Sequence, residues 1–307
     1  MKTLSLDGRW QFRALRPAGN LPGFPKRALR WMNASVPGTV HTDLMACGLL
    51  QDPFYRMREK EAQWVEHVDW VYRRQFDVQE DLLGERAIEL VAAGLDTFAE
   101  IHLNGRRLGD SANMFVEHRF AVKQALRHGR NVLEVRFASP VRESKRLEHH
   151  YGALQVALES HRVYVRKAQY SFGWDWGPKL TTSGIWRSIA LEAFSGARIL
   201  YGRAKVLSLT RQEALVEFSC DVRRLSRRPV EIRLFVGGPD RAVEYTHALQ
   251  HERARMRVRI PNPRLWWPNG HGDHPLYTAV LTLLSEGEVL DEQQLQFGIR
   301  TVRLLQE

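Results

Sequence analysis

Ser171-Phe172-Gly173-Trp174-Asp175-Trp176-Gly177-Pro178 sets one acid between two indoles, brackets the trio with glycines and closes it with proline. Glycine reaches backbone angles closed to other residues, and proline stops regular structure. The trio is therefore expected on a tight, rigid loop. A carboxylate between flat apolar rings suits a sugar: the rings cover a C–H face, and the carboxylate accepts hydrogen bonds from neighbouring hydroxyls. The same pattern also suits a core Trp pair with an Asp capping a turn, and the eight residues alone leave both readings open.

Outward from this run the chain is rich in strand patterns. Leu133, Val135 and Phe137 alternate with Glu134 and Arg136, and Ala99, Ile101 and Leu103 run into Asn104-Gly105, a hairpin dipeptide. Trp70, Tyr72, Phe76 and Val78 mark a further strand. Beyond Phe194-Ser195-Gly196, the expected junction, the alternation becomes regular at Val216 to Val222, Val230 to Val236 and Tyr277 to Leu283, with a turn expected at Gly237-Gly238-Pro239-Asp240. About seven such strands in a hundred residues fit an immunoglobulin-like sandwich. Two helices are expected to interrupt the first half, Thr39 to Cys47 closed by Gly48, and a longer one over Val141 to Ser160. The fold class predicted is all-β. A β-sandwich over residues 1–194 is followed by an immunoglobulin-like β-sandwich over 195–307.

Several neighbouring motifs accompany the Trp-Asp-Trp run: Arg166-Lys167-Ala168-Gln169, Thr182-Ser183-Gly184-Ile185-Trp186-Arg187, Leu6-Asp7-Gly8-Arg9-Trp10, Val36-Pro37-Gly38-Thr39-Val40-His41, Gly94-Leu95-Asp96-Thr97, Leu265-Trp266-Trp267-Pro268-Asn269-Gly270 and Phe297-Gly298-Ile299-Arg300. In order and spacing this set resembles the β-mannosidases of glycosyl hydrolase family 2 along nearly the whole chain. The resemblance implies that the sandwich over residues 1–194 is of the jelly-roll-like, galactose-binding type, and it implies hydrolysis of terminal β-mannose with retention by the parent protein. It assigns Asp175 hydrogen bonds to the sugar and makes Trp174 a wall of the pocket. Trp176 is expected to be structural, because the three side chains cannot all face one ligand.

The family carries its two catalytic glutamates on a (β/α)₈ barrel, with the acid/base after an asparagine. The sequence contains no Asn-Glu dipeptide and no alternating βα units. The resemblance therefore implies the two accessory domains without the barrel, inactive alone. A free-standing carbohydrate-binding module and a purely structural scaffold are the rival readings.

Composition narrows the partners. The net charge is +10, yet only eight of the 45 basic residues are Lys, and the arginines are scattered; Arg253, Arg255, Arg257 and Arg259 read as the wet face of a strand. No nucleic-acid partner is expected. No run approaches the roughly 18 apolar residues of a membrane span, and the start has no apolar stretch of signal length. Two cysteines, Cys47 and Cys220, fall in different predicted domains, which fits a reducing compartment, so a cytoplasmic location is expected. No cofactor or metal is expected. His149-His150 occupy adjacent helix positions that do not share a face, and His271 to His274 read as loop packing. Trp266-Trp267 read as a plug or a sugar platform. Arg166 and Lys167 are candidates to pair with Asp175, or to serve the sugar.

Overall fold

A computed structural model describes residues 1–17, 19–238 and 242–306. The chain divides into two compact units, Lys2–Ala193 and Phe194 onward, with Met1 counted to the second.

In the first unit a six-stranded sheet runs in the order Met32–Val36, Gly8–Ala14, Trp70–Val78, Gly129–Phe137, Phe98–Leu103, Arg106–Ala112. A four-stranded sheet runs Lys2–Ser5, Ile189–Phe194, Ala87–Ala92, His118–Ala121. Alternate residues of both sheets enter one core, Phe12, Tyr72, Ile101 and Leu133 from the larger and Ile88, Leu90 and Leu191 from the smaller. This is the physical outcome of period-two patterning: one face of each sheet is apolar and the two faces cover each other. Trp70 stacks on Phe12 at 5.8 Å, Tyr72 packs tilted against Phe12 at 5.6 Å, and Trp70 and Trp64 lie 5.9 Å apart. The Asn104-Gly105 hairpin joins Phe98–Leu103 to Arg106–Ala112 with both turn residues at positive φ, 52° and 82°, the conformation that favours this dipeptide.

The helix Val40–Ala46 has Thr39 as N-cap, reciprocally bonded with Thr42, and Gly48 follows at φ 68°. The second helix is shorter than the sequence suggested. It spans Pro140–Tyr151, capped by the Ser139 hydroxyl, and ends at Gly152, whose φ is 90° and whose N–H donates to the Glu148 carbonyl at 2.8 Å. Residues 152–159 are not helical, and Ser160–Tyr164 form a separate 3₁₀ turn. The Glu- and Ala-rich composition favours helix throughout, but one glycine free to take a positive φ ends it.

The second unit packs a three-stranded sheet, Ala197–Leu209, Glu213–Arg224, Arg253–Pro261, on a four-stranded one, Ala242–Ala248, Glu231–Gly237, Tyr277–Ser285, Glu288–Phe297. Val216, Phe218, Met256 and Val258 meet Ile232, Leu234, Leu281 and Leu283 in its core. The turn expected at residues 237–240 lies partly outside the described residues. On Arg253–Pro261 every second residue is buried and the arginines face out. Arg253 meets Asp221 at 2.5 and 2.9 Å, Arg257 meets Glu217 at 3.3 Å, and Arg259 meets Glu213 at 2.6 Å. Exposed pairs of this kind are screened by water and contribute little to stability.

Both cysteines are free thiols, Cys220 buried and Cys47 half-buried. Burial pushes the Cys220 thiol up to about 12 and raises that of Cys47 as well. A maleimide at neutral pH is expected to label Cys47 well before Cys220 in the native chain, and both after denaturation. A peptide map showing Cys47 linked to Cys220 would contradict this.

Candidate functional site

The Trp-Asp-Trp run leaves the 3₁₀ turn Gln169–Phe172 through Gly173, at φ 99°. Trp174 and Gly177 then pair across a tight turn, the Gly177 N–H donating to the Trp174 carbonyl at 3.3 Å. Beneath it Phe172 joins Val141 and Val165 in a small apolar cluster. Asp175 and both indoles project outward. Trp174 is 44% exposed, with the Arg162 guanidinium 5.4 Å from its ring centre, while Trp176 is 76% exposed. Trp176, expected to be structural, is therefore not part of the core. Phe172 takes the buried place in the cluster with Val141 and Val165, while Trp176 lies beside the exposed Tyr170, ring centres 6.4 Å apart.

The flanks of the loop are held by buried charges. Lys167 does not reach Asp175; it forms a fully buried ion pair with Asp96 and donates to the Thr182 hydroxyl at 2.7 Å. Thr182 donates to Asp96 Oδ2 at 2.7 Å, and Thr97 Oγ1 to Asp96 Oδ1 at 2.5 Å. Burial lowers the Lys167 pKa, and the Asp96 carboxylate opposes that shift. Arg166 serves through its backbone, its carbonyl accepting from the Met114 N–H at 3.0 Å. Further along, Lys179 pairs with Glu159 at 2.8 Å and Glu66 at 3.0 Å, and the Thr181 hydroxyl donates to Glu66 at 2.6 Å.

His41, buried on the helix Val40–Ala46, is held down to about 4, first by burial and then by the Lys167 charge, with Asp96 opposing. The unfolded chain binds its proton more readily than the folded one between about pH 6.5 and 4, so stability from this group falls as pH falls through that window. Asp43, pushed up to about 6 by burial against hydrogen bonds from Tyr72 and Ser35, acts in the opposite sense, since its folded carboxyl keeps a proton the unfolded chain has lost. The difference between wild type and His41→Gln isolates the histidine. Relative to the variant, wild type is expected to lose about 3 kcal/mol between pH 6.5 and 4. Parallel melting curves against pH would contradict this.

A cavity of about 480 Å³ opens beside the turn, with Phe54, Phe115, Tyr170, Trp176 and Trp186 around it and Thr39, Asp96 and Thr182 supplying polar groups. Its size and lining suit a small ligand. Trp176 lines it; Trp174 and Asp175 do not. Sequence reading passed over Asp96 because a single acid in a short motif carries no mark of burial. A second cleft, of about 650 Å³, mixes charged residues such as Glu100, Arg107, Asp110 and Arg146 with apolar ones such as Leu15, Phe98, Phe137 and Leu147. Elsewhere, the His271 N–H donates to the Pro268 carbonyl and the His274 ring packs edge-on to Trp266, so this segment is loop packing. Arg300 lies over both Trp266 and Trp267, at 5.8 and 5.7 Å. Among the described residues no three His, Cys, Asp or Glu side chains form a metal-binding group, and no helix is long and apolar enough to cross a membrane.

Two family models cover the chain. One, described as glycosyl hydrolase 2 galactose-binding domain-like, matches residues 10–187, and the other, glycosyl hydrolases family 2, matches residues 204–300. The chain belongs to glycosyl hydrolase family 2. Its two sandwiches are the family's galactose-binding-like and immunoglobulin-like domains. Beta-mannosidase B of Aspergillus terreus is 36% identical over 282 residues, covering 90% of this chain, and that of Emericella nidulans is 35% identical over 293 residues. The β-D-mannosidase of Dictyoglomus thermophilum superposes with a TM-score of 0.88 at 41% identity over 99% of this chain. The exo-chitosanase CsxA of Amycolatopsis orientalis, at 20% identity and a TM-score of 0.70, shares the fold. The family 2 chain spans about a third of the length of these relatives, 33% of the A. terreus protein and 37% of the D. thermophilum one.

Proposed function

We propose that this chain is the accessory region of an exo-acting, retaining β-mannosidase and that its Trp174-Asp175 turn completes the pocket for the terminal mannose. The observation that carries the reading is an outward-facing carboxylate between two exposed indoles, on a chain whose similarity to β-mannosidases runs over nine-tenths of its length. On this reading residues 1–194 bear the turn. Asp175 accepts hydrogen bonds from two adjacent sugar hydroxyls, and Trp174 covers the ring's C–H face. The two carboxylates that break the glycosidic bond, roughly 5–5.5 Å apart in retaining enzymes, belong to the part of the relatives that this chain does not span. Binding a remote hydroxyl pair still serves the reaction, because it orients the ring against those carboxylates. The free thiols fit the cytoplasm, where disulfides rarely form.

The test is a chimera in which residues 1–307 replace the matched third of the D. thermophilum β-D-mannosidase. The chimera is expected to hydrolyse an aryl β-mannoside, and residues 1–307 alone are not. Sustained turnover by the purified chain alone would overturn the proposal. The cavity beside the turn favours a second reading, a self-sufficient carbohydrate-binding module, because aromatic walls with a few polar groups are what such a module needs. Calorimetric titration separates the two. A half-site is expected to bind mannose no better than millimolar, whereas micromolar affinity for the isolated chain would favour the module.

A further inference from the structure

We propose that Asp96 is the positioning residue of the Trp174-Asp175 turn, acting as a clamp that ties both stems of the loop to one buried carboxylate. The consequence for sugar binding rests on the function proposed above; the clamp itself does not.

Residues 168–181, which carry the turn, lie between Lys167 and Thr182. These two side chains, 15 residues apart, converge on the same oxygen, Asp96 Oδ2, and on each other. Thr97 occupies the other carboxylate oxygen, so Asp96 is bonded on both. The clamp stands on fixed backbone. Leu95–Asp96 pairs antiparallel with Gly184–Ile185, in the register Gly184 opposite Asp96, which places Thr182 two residues from the ladder. On the other stem Arg166 bridges to Asn113 immediately before Lys167. Each stem is thus fastened both through its backbone and through a side chain.

A buried ion pair is seldom more stabilising than apolar residues of the same volume, because both charges lose their hydration. What it supplies here is geometry. The lysine and the threonine must both point at one atom, which leaves the loop a single separation between its stems. Further out, the Thr181 hydroxyl also donates across the loop to the Ser171 carbonyl at 3.3 Å and Lys179 reaches Glu159, whereas Asp96 is the buried carboxylate on which Lys167 and Thr182, at the base of the loop, meet.

The test removes one arm of the clamp and keeps the ion pair. Thr182→Val deletes the hydroxyl, and Thr182→Ser restores it. In residues 1–307, hydrogen exchange is expected to accelerate about tenfold across 168–178 in Thr182→Val. Exchange in Trp70–Val78 and Gly129–Phe137 should not change, and Thr182→Ser should follow wild type. Wild-type exchange in the loop, or acceleration spread evenly through the first unit, would overturn the clamp. In the chimera, Thr182→Val is expected to raise KM for the aryl mannoside about tenfold with a smaller change in kcat, and Thr182→Ser to rescue it. A faster-exchanging loop with unaltered KM would overturn the positioning role by removing the turn from the sugar pocket, while the clamp itself would stand.

Discussion

Asp175→Ala, placed in the chimera with the D. thermophilum enzyme, is expected to lower kcat/KM about a hundredfold or more and to leave the melting temperature where it was. Asp175 is exposed at the tip of the turn, so its removal strips no interior contact. Its proposed contribution is made only to the sugar. A hydrogen bond to a charged acceptor contributes about 1.5–3 kcal/mol, and two lost together amount to about two orders of magnitude or more in kcat/KM. Trp176→Phe supplies the structural comparison. With three-quarters of the ring in solvent, it is expected to leave the melting temperature of residues 1–307 unchanged. Melting temperature measured beside kcat/KM decides the matter. If Asp175→Ala melts many degrees lower while its folded fraction turns over normally, Asp175 caps the turn and does not touch sugar.

Asp96→Ala is expected to be the most destabilising single change considered, and a compensated double change to recover most of the loss. Removing the carboxylate leaves the Lys167 ammonium without its counter-charge, with Thr182 its remaining hydrogen-bond partner. Breaking a buried pair from one side costs about 3–5 kcal/mol, or roughly 6–20 °C in melting temperature for a unit of this size. Asp96→Leu with Lys167→Met fills the space without charge and is expected to melt close to wild type, or above it, because neither side chain then needs hydration. The double variant nevertheless loses the clamp, so its loop is expected to exchange as fast as that of Thr182→Val. An Asp96→Ala protein melting within about 2 °C of wild type would show that the pair is not buried in solution.

Much of this architecture was legible without coordinates because it follows from local chemistry. Period-two alternation at Leu133 to Phe137 and at Arg253 to Ile260 needs only a pleated strand with one dry face, and both became strands with the expected side inward. Asn104-Gly105 needs only its own backbone preferences, and Thr39 and Gly48 bound their helix for equally local reasons. The error over Val141 to Ser160 was local too: summed helix propensity outweighed Gly152, although a single residue at positive φ is enough to end a helix.

The sequence by itself determined that the chain is two β-sandwiches and that an acid between two indoles sits on a glycine-bounded turn, because hydrophobic period and turn chemistry act over a few residues. Only the tertiary structure decided what the turn rests on and which ring faces solvent. Lys167 chose Asp96, 71 residues away, over Asp175, eight residues away, and Thr182 reached the same carboxylate across 86 residues. A buried charge takes whichever counter-charge the packed strands bring within hydrogen-bonding distance, and sequence separation has no part in that energy. Tertiary packing likewise decided which ring was buried: Phe172 joined Val141 and Val165, while Trp176 stayed in solvent beside Tyr170.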